Sequence, residues 1–218
     1  MLSVVFDLDD TLVFERDYVA SGFRAVSKQF DDQNEQVYTL LWHLFSSGVR
    51  GDTFDRVLDR YPEFKAELSV RDMVRIYREH KPTISFIEGA RQLLKELRSL
   101  GAPLALISDG PLVAQSNKVE ALNLEVLVDE IVLTDRWGKA YWKPHPRAYE
   151  IVEARFPEND YCYIGDNPTK DFKTAYARGW KSIRLRLPEQ LHERAPAEPY
   201  VLEYRSVAEL RAYLLSFF

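Results

Sequence analysis

Leu2-Ser3-Val4-Val5-Phe6-Asp7-Leu8-Asp9-Asp10-Thr11-Leu12 is the stretch on which the fold turns. A short run rich in Val, Leu and Phe passes straight into acid, the pattern of a buried strand whose carboxyl end carries polar groups. Two further apolar runs end in the same way, residues 104–107 before Ser108-Asp109-Gly110 and residues 161–164 before Gly165-Asp166. Each is followed by a helical pattern, and strands that alternate with helices imply a parallel sheet with ligands beyond the carboxyl ends of its strands. Residues 131–133 and 182–185 read as two more strands. The expected class is therefore α/β.

Between the first and second of these strands the periodicity changes. Val37, Leu40, Leu41, Leu44 and Phe45 recur at helical spacing, and no buried strand pattern intervenes. Gly48, Gly51, Pro62 and Pro82 punctuate the segment into about four helices. The expectation is a helical cap domain at residues 15–85, inserted into a catalytic core made of residues 1–14 and 86–218. Ala90, Leu93, Leu94 and Leu97, stopped by Gly101, form an amphipathic helix leading into the strand at 104. Residues 188–200, with three prolines, read as a surface loop before a last helix at 207–215.

Hydrophobic residues make up 46% of the 218, enough for a packed core, and the net charge of −5 lacks the basic excess with which nucleic-acid binders neutralise phosphates. A small molecule is the expected partner, with neither nucleic acid nor membrane. The apolar run at the start is too short for a signal peptide or a membrane span, which points to the cytoplasm. Cys162 is the single cysteine and lies in a strand pattern, so it reads as a buried core residue.

Four segments carry candidate chemistry. Asp7 and Asp9 leave the first strand at i and i+2, close enough for one cation to bridge them, and Mg²⁺ prefers such oxygen donors; aspartates also collect at turns and caps. Ser108, with the backbone N–H groups of Asp109 and Gly110, sits at a turn that can hold phosphate oxygens, although a serine there also serves as a helix cap. Lys143, before Pro144, offers an ammonium to carboxylate and phosphate charge, or is simply solvated. Asp166 completes a metal site at the same sheet edge, and Asp171 either complements a helix dipole or orients Lys143 or a metal-bound water. His145 reads as a helix-start residue. Independent accidents would seldom set four such segments in order after three separate strands.

Through these residues the sequence resembles the haloacid dehalogenase-like hydrolase superfamily, specifically its phosphatase branch with a helical cap. Its four motifs are matched in order by Asp7/Asp9, Ser108, Lys143 and Asp166/Asp171, across nearly the whole chain. The resemblance implies a Rossmann-like core and a magnesium-dependent phosphatase acting on a small phosphorylated metabolite through an aspartyl-phosphate. Asp7 is then the nucleophile and Asp9 the general acid and base. Ser108, Asp109, Gly110 and Lys143 bind the phosphoryl group. Asp7, the Asp9 backbone carbonyl and Asp166 bind Mg²⁺, and Asp171 stands behind them. Asp109 departs from the asparagine frequent at its position, and either tunes specificity or turns away.

The two roles of Asp9 lead to the expectation that Asp7 and burial raise its pKa. Asp9 also separates this chain from dehalogenases, whose leaving halide needs no proton. A phosphosugar mutase on the same scaffold is the enzymatic alternative. A regulatory module that only holds phosphate, or a receiver-like domain, is the alternative from another class; receivers are shorter and carry no insert.

Overall fold

The computed structural model describes all residues from Met1 to Phe218. At its centre lies β1 (Leu2–Phe6), paired in parallel with β2 (Leu104–Ser108) on one side and β4 (Asp160–Gly165) on the other. The sheet continues to β3 (Glu130–Leu133) beyond β2, and to β5 (Lys181–Leu185) and β6 (Leu202–Tyr204) beyond β4. Its order is β3-β2-β1-β4-β5-β6, parallel at every pairing. Because the chain winds outward from β1 in both directions, the order reverses between β1 and β4, where parallel sheets open a crevice for ligands.

Side-chain alternation assigns the two faces of this sheet. Val4, Phe6, Leu104, Leu106, Cys162 and Ile164 join one buried cluster, while Val5, Ala105, Ile107 and Tyr163 join the other. Both faces are covered by helices, so the strands read as continuous apolar runs rather than as alternating ones. The covering helices are α5 (Ala90–Ser99), α6 (Leu112–Leu122), α7 (Arg147–Arg155), α8 (Phe172–Ala177) and α9 (Val207–Leu215). Cys162 is buried, and burial pushes its thiol up to about 12.

Contacts divide the chain into two units, residues 1–15 with 84–218, and residues 16–83. The second is helical: α1 (Glu15–Ser27), α2 (Asn34–Ser46), α3 (Thr53–Arg60) and α4 (Val70–Glu79), with short 3₁₀ turns between. It has a core of its own, including Phe23, Val26, Phe30, Val37, Leu41, Val57 and Met73. Ser69 and Asp72 form a reciprocal capping box at the start of α4. No helix of the chain is long and apolar enough to cross a membrane.

The sequence reading missed β6. Residues 188–200 do form a loop, but two residues later, at Leu202, the chain pairs with β5 at the sheet edge. Its strand signal was weak because an edge strand of three residues, with Leu202 48% exposed, has no buried apolar run to display.

Candidate active site

The loop after β1 is folded back by its own backbone. Leu12 and Val13 donate to the Leu8 carbonyl, and the Asp10 N–H donates to Val13. Asp10 adopts a left-handed conformation (φ 53°), and its carboxylate accepts from the Glu15 N–H (2.9 Å) and the Leu191 N–H (2.8 Å). Gln190 donates to the Asp10 carbonyl, so the loop after β5 braces the loop after β1. His192, in the same loop, pairs through Nε2 with Asn167 Nδ2 at 2.9 Å.

Asp7, Asp166 and Asp171 converge, each offering a carboxylate oxygen within 4.8 Å of the others, and all three are buried. Lys143 holds two of them together: its Nζ lies 2.6 Å from Asp7 Oδ1 and 2.8 Å from Asp171 Oδ1, and donates to the Tyr163 hydroxyl at 2.8 Å. Asp171 Oδ2 accepts from the Asn167 N–H, 2.9 Å away. Gly165 makes that approach possible, since a Cβ there would stand 2.6 Å from Asp171 Oδ2.

The charges follow from this packing. Burial pushes the Asp7 carboxyl up to about 6 against the pull of Lys143. Burial, then the charges of Asp171 and Asp7, drive Asp166 well above the usual carboxylate range. Burial also works to raise Asp171, but Lys143 and Lys170 outweigh it and hold that carboxyl low. Burial would lower Lys143, yet Asp171 and Asp7 keep its ammonium charged.

Seven buried side-chain polar atoms have no hydrogen-bond partner, and five of them belong to Asp7, Thr11, Ser108, Gln115 and Asp166. Unpaired buried polar atoms are rare in native proteins, so their concentration on the loops after β1, β2 and β4 and the adjoining α6 marks a place built for a ligand. Asp7 Oδ2 and Asp166 Oδ2 are the unpaired carboxylate oxygens. Hard oxygen donors of this kind fit a small divalent cation, whose charge would offset the burial and the repulsion that drive Asp166 up.

Ser108 ends β2 with its hydroxyl unpaired, and it does not cap α6, whose N-cap is Pro111. The Asp109 side chain is turned aside: Oδ1 accepts from the Thr134 hydroxyl (2.7 Å) and the Lys143 N–H (3.0 Å), and Oδ2 faces Lys170 Nζ at 3.4 Å. Its charge therefore seats the lysine-bearing loop. Gly110 has a positive φ of 130°, and a Cβ there would meet Gln115 Nε2 at 2.5 Å. His145 is a helix-start residue, its Nδ1 accepting from the Arg147 N–H at 3.2 Å.

Asp9 corrects one expectation. Its Oδ1 lies 2.6 Å from Lys118 Nζ and its Oδ2 accepts from Gln115 Nε2 at 2.8 Å. Burial pushes this carboxyl up, but Lys118 and the hydrogen bonds of Lys118 and Gln115 prevail, and its pKa falls below the usual value instead of rising. Gln115 and Lys118 escaped the sequence reading, although a signal existed. Both stand at i, i+3 and i+7 spacing with Leu122 on the buried face of α6, where polar residues are out of place.

In the helical unit, several polar side chains are paired with groups of the same unit. Tyr18 donates to the Tyr77 carbonyl, Arg24 pairs with Glu35, and Arg50 donates to the carbonyls of Phe45 and Val49.

Residues 4–185 match the family model of the haloacid dehalogenase-like hydrolases. Over 196 residues, 84% of this chain and 83% of the relative, the chain is 24% identical to a glyceraldehyde 3-phosphate phosphatase of Methanocaldococcus jannaschii. Over 203 residues it is 28% identical to a phosphoglycolate phosphatase of Cereibacter sphaeroides, covering 90% of this chain and 88% of that one. In fold it resembles a HAD-hydrolase of Bacillus subtilis bound to magnesium, with a TM-score of 0.67 at 20% identity and 97% of each chain covered. The six-stranded parallel sheet, and a family match running from β1 to the end of β5, make this chain a member of the haloacid dehalogenase-like hydrolase family.

Proposed function

We propose that this hydrolase is a Mg²⁺-dependent phosphatase that passes the phosphoryl group of a small phosphorylated metabolite to Asp7 and then to water. The observation that carries the reading is the set of buried, unpaired oxygens on Asp7, Ser108 and Asp166 beside the charged Lys143. Carboxylate oxygens able to take a divalent cation, beside the fixed ammonium of Lys143, suit a phosphoryl group better than a neutral ligand. The names of the relatives point the same way, toward small phosphorylated compounds as substrates.

In this reading Asp7 Oδ2 attacks phosphorus in line with the leaving oxygen, while Lys143 keeps Oδ1 occupied and so leaves one oxygen to react. Ser108 and the backbone N–H groups of Asp109 and Gly110 hold phosphoryl oxygens. Asp9, held ionised by Lys118 in the unliganded protein, has to take up a proton as the substrate binds; it gives that proton to the departing alkoxide and regains one from the water that hydrolyses the aspartyl-phosphate. Asp171 keeps Lys143 directed at Asp7. Asp7, Asp166 and the Asp9 backbone carbonyl would hold Mg²⁺, whose charge, when bound, offsets that of the transferring group. The helical unit is proposed as the cap that selects substrates, and residues 14–16 and 83–88 as its hinge.

The test is phosphate release from p-nitrophenyl phosphate, glyceraldehyde 3-phosphate and phosphoglycolate by wild type and Asp7→Asn, with and without EDTA. Release by wild type alone, abolished by EDTA, is the expected result. Turnover by Asp7→Asn removes the nucleophile assignment, and EDTA-resistant turnover removes the metal.

A further inference from the structure

Asp9 leaves β1 two residues after Asp7, yet its carboxylate stands outside the cluster that gathers Asp7, Asp166 and Asp171. Hard divalent cations draw in nearby carboxylates, so a cation at that cluster would compete for Asp9 as well. If the carboxylate were captured, it would be lost to proton transfer. Something must hold it aside.

α6 supplies the restraint. Lys118, its side chain 4% exposed, sits 2.6 Å from one oxygen of Asp9, and Gln115 donates to the other at 2.8 Å. Ion-paired hydrogen bonds of this kind are among the stronger ones. Gln115 is itself fixed, because the same Nε2 also donates to the Asp109 carbonyl, in the space that Gly110 leaves by lacking a Cβ. With two acceptors facing that nitrogen, the orientation of the amide is settled. Each Asp9 oxygen keeps a second lone pair, so the restraint fixes the carboxylate without exhausting it.

We propose that Lys118, assisted by Gln115, is a positioning residue that withholds Asp9 from the metal ion and so keeps it available for proton transfer. This rests on the reading of Asp9 as acid and base given above. Removing Lys118 leaves a buried carboxylate without its counter-charge, and the metal is then the cation to which it turns.

The experiment compares wild type, Lys118→Met, Lys118→Arg, Asp9→Asn and Asp9→Asn/Lys118→Met, reading kcat, KM and the Mg²⁺ concentration that gives half of the metal-induced rise in Tm. Lys118→Met is expected to lower kcat about 10²-fold, the cost of a misplaced catalytic group, with KM little changed and with less Mg²⁺ needed for the Tm response. Lys118→Arg recovers part of both. In the Asp9→Asn background the lysine substitution has no further effect on kcat, because it acts through Asp9. Should Lys118→Met fail to fold, Gln115→Met, which removes the other donor, is expected to lower kcat in the same direction without weakening the Mg²⁺ response.

An unchanged kcat in Lys118→Met overturns the proposal, as does a parallel loss of kcat and Mg²⁺ response, which is what general loosening produces. For Gln115→Met the same two results overturn it. If Asp9→Asn itself turns over at the wild-type rate, the acid–base reading fails and takes the proposal with it. Loss in Asp9→Asn without loss in Lys118→Met sinks the positioning role alone.

Discussion

Asp7 carries two demands that pull in opposite directions, since a nucleophile must be ionised and burial resists ionisation. Burial wins by enough to place the carboxyl at about 6, and Asp166 is pushed further by burial and by its neighbours. A cation binds the ionised forms, so a proton on Asp7 competes with it and metal binding releases protons. Mg²⁺ affinity is therefore expected to fall as the pH drops from about 7 to about 5, through the Asp7 value, in isothermal titrations at fixed ionic strength. A flat affinity over that window would remove Asp7 from the ligands. At this scale Asp7, Asp9 and Asp166 stood out in the sequence because each follows closely on a strand, while Lys143 and Asp171 stood out only by their order after those strands. The direction of the Asp9 shift was not legible there, because its cause, Lys118, lies on another element 109 positions along the chain.

Gly165 shows how closely one element's end constrains the next. It closes β4, and the Asp171 carboxylate at the start of α8 lies against it, locked by Asn167 N–H and Lys143. A methyl group at Gly165 would sit 2.6 Å from Asp171 Oδ2 and 2.9 Å from its carboxyl carbon, so the carboxylate must leave its place. Gly165→Ala is expected to cost about 1–3 kcal/mol of stability, the usual range for overpacking, and to lower kcat by releasing Lys143. Denaturant melts and steady-state kinetics read the two effects; wild-type kcat in a folded variant would mean that Asp171 does not direct the lysine. The strands were readable because both faces of the sheet are buried, which writes continuous apolar runs. What sequence withheld was the brace from residues 190–192 to Asp10 and Asn167, two contacts between a side chain and the backbone and one between two side chains, with no periodic signature.

The whole molecule contains two cores that share no residue, one pair of clusters on the faces of the sheet and another among α1 to α4. Residues 16–83 thus bury their own apolar surface, and stability need not be uniform over the chain. Met73 is fully buried within the helical cluster, among side chains that include Phe23, Val26 and Leu41. Met73→Ala removes most of that contact, and truncations of this kind cost about 2–5 kcal/mol according to how far the site collapses. If the helical unit opens on its own, that cost appears as faster amide exchange within residues 16–83, while β1, β2 and β4 keep wild-type protection. Mg²⁺ should leave the difference untouched, because the proposed ligands all belong to the other unit. Uniform loss of protection across both units would instead mean that the two cores unfold as one, and that residues 16–83 have no independent stability with which to move as a cap.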